Sequence, residues 1–191
     1  MSKGRLEAFS DGVFAVIITI MVLEMRVLRG IDLQALKSVV PAFLCYVLSY
    51  LYIGIYWNNH HHLLHATERV SGRILWANLI LLFCLSLVPF TTAWMGQNNY
   101  APLPTAVYGV MLLCAGIAYY ILTKSLIAHH GRDSLLARSI GNDWKGTVSL
   151  LVYALAIPLA LIRPWIACGC YALVALMWLL PDPRIEKNVQ G

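Results

Sequence analysis

Residues 5–24 read RLEAFSDGVFAVIITIMVLE. Arg5, Glu7 and Asp11 stand just ahead of an apolar run from Val13 to Leu23 whose one hydroxyl is Thr19. Glu24 closes the run and no small-x-small site follows it, so the segment reads as a retained membrane helix and not as a cleavable signal. Outward from it, five more apolar stretches follow, each of about 20 residues or a little more, the length a bilayer requires. The expected architecture is an all-α integral membrane protein of six transmembrane helices in one domain, residues 1–191. The expected spans are about 5–26, 33–62, 71–95, 104–129, 144–162 and 164–181. Pro89 and Pro158 fall inside spans, where neighbouring helices can satisfy the freed carbonyls. The segment QNNYAPLP between the third and fourth spans reads as a short turn-rich loop.

Composition agrees with that reading. The 191 residues are 60% hydrophobic and 12% charged, with a mean hydropathy of +0.70. Soluble domains run at about 45–50% apolar and about 25% charged, so one water-soluble globule could not hide this much apolar surface. The formal net charge of +5 sits at loop edges, which reads as topology and lipid headgroup contact, not nucleic-acid binding. With the N-terminus inside, ten of the 14 Lys and Arg fall on the inner side and four (Arg26, Arg29, Lys37, Arg163) on the outer side. Both termini are therefore expected in the cytoplasm of a multi-pass protein of the plasma membrane. The five cysteines lie inside apolar runs, and Cys168-x-Cys170 lacks zinc or thioredoxin spacing, so they read as small packing residues.

At about 100° per residue, Arg5, Phe9, Gly12, Val16, Thr19, Ile20 and Leu23 share one face of the first helix, while Glu7 and Asp11 lie on another. An ionisable group at membrane depth is costly and faces a partner or water. Asp11 also lies in the first turns of its helix, where the dipole favours an anion.

These residues carry a resemblance. Arg5-x-x-x-Phe9-Ser10-Asp11 resembles the RxxxFSD signature of the transmembrane protein 175 family of potassium channels, in its bacterial form. Tyr56-Trp57-x-x-His60-His61 resembles the family's YWxxHH, and Trp76-x-Asn78 with Leu87-Val88-Pro89-Phe90-x-Thr92 resembles its WxN…PFxT pattern. The resemblance implies six helices per subunit and a homotetramer. It implies a central pore lined by the first helices, without the TVGYG filter of ordinary potassium channels. The implied pore layers fall on Val16, Thr19, Ile20 and Leu23, with potassium passing near Thr19. Val16 stands where the family usually has Ile or Leu, so either the constriction is wider there or Ile20 forms the tightest ring. A ring of aliphatic side chains too narrow and apolar for a hydrated ion sheds its water, and conduction requires it to widen. Ser10 and Asp11 are expected to hydrogen-bond to polar groups of the second or third span, with Trp57, His60, His61 and Asn78 as candidates. Such bonds would fix the rotation of the first helix.

His61 and His65 are four apart, as metal-binding pairs often are, but no cysteine lies near them and no third ligand is evident. Interior bonding or a headgroup-level cap is the expectation, so no fixed metal and no cofactor are assigned. TAVYGV in the fourth span lacks the order of a filter, and Gly109 and Gly116 there read as packing points. Asn142 and Asp143 ahead of Trp144 read as a helix start. No catalytic constellation is present in the sequence, so an enzyme is not expected. The runner-up is a secondary or proton-coupled transporter using Asp11 and the span-two histidines. A transporter places its charged site near mid-membrane on broken helices, whereas the middle of the first span is aliphatic with Thr19.

Overall fold

A computed structural model of the protein describes residues 2–25, 30–65, 67, 70–131 and 143–179. Among them the regular structure is helical: α1 (Lys3–Leu23), α2 (Leu33–His65), α3 (Gly72–Ser86), α4 (Val88–Gln97), α5 (Pro102–His130), α6 (Trp144–Ile162) and α7 (Pro164–Leu179). Five segments are long and apolar enough to cross a membrane: α1, α2, the α3–α4 pair, α5 and α6. Helix α7 is apolar but has 16 described residues, about 24 Å against a hydrocarbon core of about 30 Å. Arg26, Arg29, Glu68, Arg69, Arg132, Arg138, Asn142, Arg184, Lys187 and the expected end of the sixth span lie outside the described residues.

Helix boundaries follow local chemistry. Asp32 caps α2 by accepting from Ala35 N at 2.8 Å, and Asp143 caps α6 by accepting from Gly146 N at 2.9 Å. Pro102 and Pro164 occupy first helical positions of α5 and α7, where the missing N–H has no partner to lose. The third span was expected to be one helix over about 71–95. It is two, divided at Leu87. Pro89 has no N–H for the ladder and its ring crowds the preceding turn, so Leu87 N turns back to the Cys84 carbonyl at 3.2 Å. The Thr91 hydroxyl then lies 3.2 Å from the carbonyls of both Leu87 and Val88. The first span ends at Leu23, short of residue 26, and the second continues to His65.

Helix α5 is central and packs on α3, α4, α6 and α7; α1 packs on α2, α3 and α4. Among the described residues, the buried side-chain polar atoms of this bundle are paired except Thr123 Oγ1, as the cost of an orphaned group in lipid leads one to expect. Tyr52 Oη donates to the Tyr171 carbonyl at 2.7 Å and receives Tyr153 Oη at 3.1 Å. Thr92 donates to Ser49 at 2.7 Å, and Ser49 meets Tyr108 Oη at 3.0 Å. These bonds join α2, α4, α5, α6 and α7.

Gly109 shows how tight the core is. A methyl group built there overlaps Tyr171 Oη and comes within 3.1 Å of Ile157 Cγ1. Overpacking of this kind costs about 1–3 kcal/mol. Gly109→Ala is therefore expected to lower the thermal midpoint of the purified protein, while Gly54→Ala, in open space inside α2, is expected to hold or slightly raise it, because alanine is the better helix former.

Candidate functional site on the first helix

Helix α1 has two unlike sides. Leu6, Ser10, Phe14, Ile17 and Met21 are buried, spaced three or four apart along the side that meets the rest of the chain. Arg5, Phe9, Gly12, Val16, Thr19, Ile20 and Leu23 are all exposed, with Val16 at 56% and Leu23 at 75%. The aliphatic line expected from the sequence is thus turned away from the chain's own core. Within it, the Thr19 hydroxyl donates to the Ala15 carbonyl at 2.9 Å. Its proton is thereby held against the helix, and the oxygen presents lone pairs outward, an acceptor suited to a cation.

Two polar contacts hold the other side. In the interior, Asn78 of α3 donates from Nδ2 to Ser10 Oγ at 3.0 Å, and its Oδ1 meets His60 Nε2 of α2 at 2.7 Å. Since Asn78 Oδ1 can only accept, His60 carries its proton on Nε2. All three side chains are buried, so the triad links α1, α2 and α3 where an unpaired polar group would be expensive. Nearer the surface, Trp57 Nε1 donates to Asp11 Oδ1 at 2.9 Å. Of the expected partners, Trp57, His60 and Asn78 enter these contacts. His61 does not: it stacks on Trp57 at 6.1 Å and lies near His62 and His65. No group of three potential metal-ligating side chains forms among the described residues.

Three features were not anticipated. Phe14 meets the His60 ring edge-on at 5.6 Å; its place one turn beyond Ser10 was the available signal. Lys3 Nζ donates to the His65 carbonyl at 2.8 Å, and Gln97 Nε2 to the Glu24 carbonyl at 3.1 Å. These bonds tie both ends of α1 to neighbouring helices, and no local pattern announces them.

Comparison with known proteins bears on this helix. Residues 5–89 match the family described as endosomal/lysosomal potassium channel TMEM175. A potassium channel of Chryseobacterium sp. (strain P1-3) is 50% identical over 190 residues, covering 100% of this chain and 99% of that one. A potassium channel of Streptomyces collinus is 34% identical over 128 residues, covering 63% of this chain and 62% of that one. The crystal structure of a lysosomal potassium-selective channel TMEM175 homolog from Chamaesiphon minutus superposes with a TM-score of 0.79 at 28% identity. That match covers 93% of this chain and 96% of the other.

Proposed function

The chain belongs to the TMEM175 family, a family of ion channels and not of enzymes, and from that premise we propose that it is a potassium-permeable cation channel. Potassium crosses passively on the axis of a homotetramer. The six spans are α1, α2, the α3–α4 pair, α5, α6 and α7, forming one domain with both termini in the cytoplasm of a bacterial-type plasma membrane.

One observation carries this reading. The line Val16, Thr19, Ile20 and Leu23 is exposed on the side of α1 opposite its packed side. Four such lines around an axis make aliphatic rings interrupted by one ring of hydroxyl oxygens. The aliphatic rings exclude hydrated ions until they widen, and the Thr19 layer replaces part of an ion's hydration shell. The Ser10–Asn78–His60 and Asp11–Trp57 contacts support it further, because they hold the rotation that decides which side chains face the axis.

The test is reconstitution in a planar bilayer under opposed potassium and sodium gradients. Ohmic current reversing near the potassium value is the expected result; saturable flux without current would instead favour a carrier. Thr19→Val keeps the shape of the side chain and removes its oxygen. It is expected to move the reversal potential toward zero while current persists, and an unmoved reversal potential would remove Thr19 from selectivity.

A further inference from the structure

We propose that a cleft among α2, α5, α6 and α7 binds one anionic phospholipid, with its phosphate at Lys124 and Lys145 and one acyl chain laid against the aromatic walls below. The cleft lies at the end of the bundle where α5 finishes and α6 starts, and it is separate from the exposed line of α1.

The cleft is small, about 50 Å³, and its walls include Tyr56 and Asn59 of α2, Tyr119 and Tyr120 of α5, Leu150 of α6 and Trp178 of α7. A space of this size admits a slender chain and excludes a helix, which is about 10 Å across. Its walls are held in place. Tyr56 and Tyr119 meet edge to face at 6.0 Å, and Trp178 Nε1 donates to Ser149 Oγ at 2.9 Å. The cleft is therefore formed before any ligand arrives, as small-molecule sites usually are.

Two ammonium groups stand over these walls. Lys124 Nζ lies over the Tyr120 ring, 5.2 Å from its centre, and Lys145 Nζ over the Trp178 ring at 6.0 Å. Both rings line the one cleft, although Tyr120 comes from α5 and Trp178 from α7. A ring face holds an ammonium by its quadrupole but brings no counter-charge, so two such groups at one cleft favour a ligand that supplies it. Lys145 makes further contacts, and Lys124, exposed on α5, is expected to contribute more. Asp143 is the one carboxylate among the described walls. It is turned to the start of α6, where its Oδ1 accepts from Gly146 N at 2.9 Å and the helix dipole favours its charge.

Charge and depth select the ligand. Tyrosine and tryptophan with lysines reaching past them are the side chains of a membrane–water interface. The orientation proposed above puts this end of the bundle at the inner leaflet, whose lipids carry negative charge. A soluble anion would meet the lysines and leave the aromatic cleft empty. A neutral lipid would fill the cleft and leave two positive charges unanswered. An anionic phospholipid satisfies both.

The test is native mass spectrometry of the full-length protein in detergent, titrated with dioleoyl phosphatidylglycerol and, separately, with dioleoyl phosphatidylcholine. Tighter binding of phosphatidylglycerol is expected. Lys124→Gln combined with Lys145→Gln is expected to lower the apparent affinity for phosphatidylglycerol roughly tenfold and to leave that for phosphatidylcholine unchanged, with Lys124→Gln alone giving most of the loss. Lys37→Gln, at an exposed lysine near the opposite end of the bundle, is expected to change neither. Each variant is first checked for the elution volume and thermal midpoint of the unsubstituted protein, and Lys124→Gln alone carries the test should the double variant fail that check. Unchanged affinity for phosphatidylglycerol, or an equal loss from Lys37→Gln, overturns the proposal. So does displacement of phosphatidylglycerol by an equal concentration of inorganic phosphate, which would make this a site for a soluble anion. Binding is read without current, so its failure leaves the channel reading standing, and a failure to conduct potassium leaves the lipid site standing.

Discussion

Replacing Ile20 with asparagine is expected to raise potassium current through the reconstituted protein by roughly tenfold, the equivalent of about 1.4 kcal/mol off the barrier to passage. Ile20 is exposed on α1 one turn above Val16, and Thr19 beside it carries the one hydroxyl of the apolar run. In the fourfold ring proposed above, its side chains would offer a passing ion nothing in exchange for its water. Four amides at the same level hold water in the constriction and remove part of that penalty. Ile20→Leu has similar volume and no polar atom, and should leave the current low. Leu23→Asn should act in the same direction but less strongly, because Leu23 closes the helix and is the most open position of the line. Unchanged currents in both asparagine variants, with normal protein yield, would place this line against lipid.

The second large effect falls on stability. Asn78→Ala leaves the Nε2–H of His60 and the Oγ of Ser10 without their partner, and both are buried. Interhelical hydrogen bonds within membranes are worth about 0.6 kcal/mol on average and about 1.7 at most. Two lost together, with two polar groups orphaned, give an expected loss of about 2 kcal/mol. The exposed Trp57–Asp11 contact should matter less for stability: Trp57→Phe is expected to cost under about 1 kcal/mol, because water takes the place of the lost donor. Leu81→Ala supplies the control, since Leu81 is fully buried on α3 and cavity formation there costs about 2–5 kcal/mol. If the triad sets the rotation of α1, Asn78→Ala changes conduction and Leu81→Ala does not, although both lower the thermal midpoint. Equal effects on conduction would reduce the triad to ordinary packing.

Much of this could be read from the chain before any tertiary information. Helix α6 begins and ends at the expected residues, and α5 differs from expectation by a residue or two. The polar residues of α1 also pointed to partners in α2 and α3, because Ser10 and Asp11 precede a run that only lipid or a packed core can hold. Which groups would meet was open: His61 was as good a candidate as Trp57 by sequence, and only the rotation of α2 separates them. The division of the third span at Leu87 was missed because proline inside a membrane helix is often tolerated with a bend. Here the chain instead starts a new helix with Pro89 in its first turn.

Residence in a bilayer, the course of most helices and the side chains that share a face of α1 are all legible in the amino-acid order. These follow from hydropathy and the helical period, both properties of a short stretch of chain. It took the folded chain to show that the face bearing Val16, Ile20 and Leu23 is left uncovered, that Asn78 stands between Ser10 and His60, and that a groove runs beside α1. Those facts depend on the height and rotation of helices far apart in the chain, which are set by side chains packing across the bundle and not by any local pattern.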